Sequence, residues 1–171
     1  MTESFEVTKV DAGQRQLALA IRMLFNGHDP IAVHTLAGAA SIIFTDLVEK
    51  LAPEFSWDRM AQEDSDIAAQ EYFQIVRKAQ NYLKHAGVDR NEILVFDPTD
   101  TESLIMLAVM NASEVAPMTK EAQVYLLWFL AGRCPPEVAD QSPFREAVEF
   151  FGDLRQTTRA ERMRLGKQAL A

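Results

Sequence analysis

The sequence predicts an all-α protein: a single bundle of five to six helices, mostly antiparallel neighbours, around one core. Two observations carry that prediction. Apolar residues recur at helical spacing through most of the chain, and capping residues punctuate the pattern at regular intervals. At 171 residues and 48% hydrophobic the chain is long enough for one domain with a sizeable core. Residues 1–10 read as an N-terminal arm and 155–171 as a projecting C-terminal helix or tail.

The first helix is expected over Asp11 to Phe25, where Leu17, Ile21, Leu24 and Phe25 form the buried stripe. Asn26-Gly27 supplies the left-handed conformation that closes a helix. Asp29-Pro30 then restarts the chain, with Asp as N-cap and Pro where its missing N–H would be unpaired anyway. The second helix reaches about Leu51 and is apolar around most of its circumference, as a central helix would be. One narrow strip differs: His34, Gly38, Ser41 and Thr45 are mostly small or polar, which suits the close approach of another helix.

Ser56 to Asp66 forms a polar connector with room for one helical turn. The third helix is expected from about Asp66 to Ala86, ended by Gly87. The apolar run Ile93 to Phe96 is too short to separate strand from buried loop, and we read it as an extended connector. Thr99 and Glu102 have capping-box spacing, which places a fourth helix from about Asp100 to Val115. A fifth, Lys120 to Ala131, follows Thr119, and a sixth opens at Ser142-Pro143 with Phe144, Ala147, Phe150, Phe151 and Leu154 at core spacing. The second, fourth and fifth helices should be the most buried.

The formal charge of −8 opposes nonspecific attraction to duplex DNA or anionic membranes, because that affinity rests on clustered Lys and Arg. One cysteine, Cys134, excludes an internal disulfide framework and has no evident His partner for nucleophilic catalysis. A reducing cytoplasm fits. The N-terminus lacks the blocks of a signal peptide, and the longest apolar run, Val124 to Ala131, falls far short of the roughly 18 residues of a membrane span. His28, His34 and His85 belong to no Glu-x-x-His pair, so neither metal nor cofactor is expected. Asp97, Asp100 and Glu102 are accounted for by capping and turn formation.

The chemically richest segment is Arg77 to Gly87. On one continuous helix, Arg77, Asn81 and His85 fall at i, i+4 and i+8 along one strip, with Lys84 beside it and Tyr72, Ile75, Val76, Ala79 and Leu83 opposite. The bland reading is a last helical turn whose Lys and His suit the negative end of the helix dipole. Near the C-terminus, Arg155, Arg159 and Arg162 share a face in an otherwise acidic chain. They suit an RNA or acidic partner, or simply a solvated helix end.

Gln80-Asn81-Tyr82-Leu83-Lys84-His85 resembles the Arg-Asn-x-x-x-His signature of the HEPN superfamily of small helical bundles. Asn81 and His85 match in identity and spacing, and Ala37 to Asp46 is similar to the Ala-rich long helix of such domains. The resemblance covers about residues 11 to 130. It implies an antiparallel homodimer that joins two signature helices over a groove, where Arg and His cleave RNA without metal. In that role His85 would be the acid/base or phosphate donor, Asn81 would orient it, and Arg77 and Lys84 would supply charge. Here, however, Gln80 occupies the arginine position, and a neutral amide cannot stabilise a phosphorane as a guanidinium does. That departure favours a non-cleaving binding or regulatory protein, with Gln80 and Lys84 among the ligand-contacting residues and RNA, a nucleotide or a protein as partner. A metal-independent ribonuclease is the alternative.

Overall fold

The computed structural model describes residues 4–85, 91, 93–133 and 135–171; Ala86, Gly87 and Cys134, singled out above, lie outside them. The described residues are all-helical, with nine α-helices and two short 3-10 turns rather than five to six helices. The difference comes from a short helix in the 56–66 connector, a break within the expected third helix and a further helix in the C-terminal stretch.

Helix α1 (Lys9–Phe25) starts two residues earlier than expected. Thr8 and Asp11 form a reciprocal capping box there, satisfying N–H groups that the helix cannot. Its end is the expected one. Gly27 takes φ +69, and the His28 N–H returns to the Met23 carbonyl at 3.0 Å, closing the helix by a Schellman motif. Helix α2 (Pro30–Leu51) begins as predicted, the Asp29 carboxylate accepting from the N–H groups of Ile31 and Ala32.

Helix α3 (Trp57–Asp64) fills the connector, capped by Ser56. The long third helix expected from the sequence is instead two, α4 (Ala69–Val76) and α5 (Lys78–Lys84), broken at Arg77 with φ −97 and ψ 6. The Tyr-Phe-Gln-Ile-Val run before the break is aromatic and β-branched, with weak helix propensity, and Ala68 offers no side-chain cap. Helix α6 (Pro98–Val115) starts at Pro98, not Asp100. Asp97, not Thr99, is its N-cap, accepting from the Thr99 N–H at 2.8 Å. Helices α7 (Lys120–Ala131), α8 (Phe144–Phe151) and α9 (Arg159–Leu170) complete the chain.

Helix α2 packs most extensively on α1 and α6. Ile21, Ala37, Ala40, Phe44, Ile105, Val109 and Tyr125 are fully buried where these helices and α7 meet. Each large apolar side chain there contributes roughly 1.5–3 kcal/mol. By length and composition α2 could cross a membrane, with an 18-residue window of mean hydropathy 1.7. Half of that window is buried against its neighbours, as in the core helix of a soluble bundle.

The C-terminal stretch does not project. Helix α9 lies against α1 and α7, and Gly166 permits it: a Cβ there would stand 2.4 Å from the Phe25 ring. Trp128 meets Phe25 edge-on at 5.2 Å and donates its indole N–H to the Arg162 carbonyl at 2.7 Å, so α7 holds both partners of that contact.

Candidate functional site

The helix break falls at the start of the segment Arg77 to His85, and within it the Asn81 N–H bonds the Arg77 carbonyl at 2.8 Å. Arg77 sits at the break, half-buried, with its guanidinium 4.8 Å above the Phe73 ring. His85 is already extended, with φ −130 and ψ 120, and only its N–H, bonded to the Asn81 carbonyl at 3.1 Å, follows the helix. Asn81, Lys84 and His85 are exposed at the end of α5. The succession of Arg77, Asn81 and His85 thus runs along α5 from its N-cap to its C-cap, while the α4–α5 break separates it from Tyr72, Ile75 and Val76 of the expected opposite face.

Gln80 behaves differently from its neighbours, being 2% exposed. It faces Gly38 so closely that a Cβ on that glycine would stand 2.7 Å from the Gln80 amide nitrogen. The small-residue strip of α2 thus does admit a close neighbour, and that neighbour is α5. Its members His34, Gly38, Ser41 and Thr45 are all buried.

Next to this contact lies a cleft of ≈ 370 Å³. Its floor is His34 of α2, with Leu104 and Leu107 of α6. One wall comes from Tyr72, Val76 and Ala79 of α4 and α5, and Leu94 to Phe96 close the other side. Lys78 and Asp100 stand at the same opening with opposite charges. The His34 Nδ1 shares a hydrogen bond with the Thr101 hydroxyl at 3.0 Å, and the Phe96 ring meets the imidazole edge-on at 5.2 Å. Burial pushes the His34 pKa down, with the Asp100 carboxylate partly opposing the shift. The imidazole is therefore held neutral at pH 7.

The C-terminal arginines do not form one free face. Arg155 precedes α9 and clasps Asp153 through its Nε at 2.9 Å and its Nη2 at 2.5 Å. Arg159 and Arg162 turn inward to Glu102, which is 1% exposed, at 2.9 and 3.8 Å, and Arg133 approaches the same carboxylate at 4.0 Å. Glu102 does not serve as a capping residue. It is the buried anion on which α7 and α9 converge over α6. The Tyr125 hydroxyl donates to the Glu102 carbonyl at 2.7 Å, and burial, then that carboxylate, raise the tyrosine pKa well above its ordinary value.

A second buried carboxylate, Asp58, escaped the sequence reading because it lies in a polar stretch. It accepts from Thr45 Oγ1 at 2.7 Å and from Asn111 Nδ2 at 2.6 Å, while Asn111 Oδ1 accepts from the Trp57 N–H at 3.0 Å. This network fastens α3 to α2 and α6. A fully satisfied buried network specifies packing and offers no free group for chemistry. Among the described residues no three His, Cys, Asp or Glu side chains gather as a metal ion would require.

Comparisons with protein families, with curated proteins and with solved structures found no match for this chain.

Proposed function

We propose that the chain is a non-catalytic helical binding or regulatory protein with an HEPN-like core, acting in the cytoplasm as a homodimer. The observation that carries this reading is Gln80. At the position where the superfamily signature has its arginine, this chain has a neutral side chain buried against α2. Arg77, on the preceding turn, is engaged with Phe73 at the helix break. To serve a transition state carrying extra negative charge, the Arg77 guanidinium would have to leave Phe73. Asn81, Lys84 and His85 still offer an exposed carboxamide, cation and imidazole, which suits contact with an RNA, nucleotide or protein partner.

That same exposed trio is what favours the ribonuclease alternative, so RNA cleavage is the test. Purified protein is incubated with a mixed-sequence RNA pool in EDTA, beside folded His85→Ala and Arg77→Ala variants. The expected result is no cleavage above buffer for any of the three. Cleavage by the wild type that both substitutions abolish would establish a metal-independent ribonuclease and overturn the binding reading.

A further inference from the structure

The cleft between α2, α4, α5 and α6 is separate from the exposed end of α5, and what it does is independent of whether that end binds or cleaves. Three observations bear on it. Its volume, ≈ 370 Å³, lies within the range of about 300 to 1,000 Å³ typical of small-molecule sites. Its lining is mostly apolar, with Val76, Leu104, Leu107 and the Phe96 ring presenting hydrocarbon to the interior.

The polar groups are few and specific. The His34 Nε2 is buried and has no hydrogen-bond partner among the described residues, although Nδ1 on the same ring is bonded to Thr101. The Gln80 amide nitrogen, packed on Gly38 one turn along α2, is also buried and unpartnered, but Gln80 does not line the cleft. A buried polar atom left unpaired costs about 1–3 kcal/mol, so the unpaired His34 Nε2 marks a place in the cleft where a partner is missing. At the opening, the Lys78 and Asp100 charges offset each other, so an anion or a cation would gain from one and lose to the other.

We infer that this cleft binds a small neutral molecule with a one- or two-ring apolar body and a single hydrogen-bonding group, which pairs with His34 Nε2. Phe96 covers the imidazole and shifts to admit that group, and the apolar body lies along Val76, Leu104 and Leu107. Because α5 supplies Ala79 to the wall, an occupied cleft also fixes the position of α5 relative to α2. The site is thereby coupled to the exposed trio at the far end of that short helix.

The test is an amide NMR titration of the full chain with 2-naphthol, and with naphthalene as the analogue lacking the hydroxyl. The expected result is saturable, one-to-one shifts centred on the amides of Ala79, Leu94, Phe96 and Leu104, with naphthalene at least tenfold weaker. His34→Asn, whose amide can keep the Thr101 contact while removing the Nε2 position, should weaken 2-naphthol at least tenfold. Ser103→Trp, a change at the exposed rim that fills the opening, should weaken both compounds. Absence of saturable shifts, shifts centred elsewhere, or unchanged affinity in Ser103→Trp would overturn the site. Equal affinity for the two compounds would overturn the role of His34. Shifts of the cleft amides with protein concentration alone would assign the surface to a second copy of the chain and overturn the small-molecule reading.

Discussion

Glu102→Ala lowers the unfolding free energy by about 3 kcal/mol, the lower end of the range for removing one member of a buried ion pair. The carboxylate is 1% exposed, whereas the Arg133 and Arg159 side chains beside it are nearly half-exposed and can recover hydration once it is gone. That recovery keeps the loss from being larger. Urea denaturation followed by far-UV circular dichroism gives the value, and amide hydrogen exchange locates it. Protection should fall first in α9, whose Arg159 and Arg162 depend on this anion. A variant as stable as the wild type would show that the three arginines contribute nothing through Glu102, and would return Arg159 and Arg162 to the surface role that their spacing with Arg155 suggests.

Trp128→Ala produces the larger loss, about 4 kcal/mol, typical of truncating a buried tryptophan. Two contributions combine. The indole is 2% exposed and packed between Phe25 and Tyr125, and its N–H is the donor that holds the Arg162 carbonyl. Removing it leaves a cavity at the junction of α1, α7 and α9, and leaves that carbonyl without its indole partner. The shift is expected at roughly 8–16 °C in Tm for a chain of this size. Trp128→Phe should recover much of the packing but not the hydrogen bond, which separates the two contributions. A loss below 1 kcal/mol for the alanine variant would contradict the packing of α9 described above.

Much of the architecture was legible because its causes are local. Asp29-Pro30 caps α2 by side-chain bonds to the next two N–H groups, Thr119 caps α7 by accepting from the Ala122 N–H, and Gly27 closes α1. The apolar circumferences of α2, α6 and α7 correctly indicated burial, since a helix without a polar face has nowhere else to go. The elements that escaped depend on distant partners. Thr99 and Glu102 fit a capping pattern, but Asp97 takes the cap and Glu102 is claimed by an arginine 57 residues later. Helix α9 is polar on average, and its close approach to α1 depends on Gly166 opposite Phe25.

The candidate site divides in the same way. The small-residue strip of α2 announced a close neighbour, but nothing local says that the neighbour is Gln80. A spacing of four residues implies a shared face only while the helix is continuous, and the break at Arg77 removes that condition between α5 and the Tyr72, Ile75 and Val76 side expected opposite it. The cleft was not legible at all. Its walls come from α2, α4, α5, α6 and the 94–96 segment, and the unpaired nitrogen of His34 is visible only once Thr101 is seen to occupy the other one.

The central claim is that position 80 is a packing position against α2 rather than one facing an open groove, and the thermal stability of Gln80→Arg tests it most directly. A guanidinium beside Gly38 must either be buried or push α5 away from α2. The account predicts a loss of about 2 kcal/mol, as for other overpacked sites, and a Tm lower by roughly 6 °C. An unchanged Tm would place residue 80 in solvent, where an arginine could serve RNA chemistry, and would contradict the account.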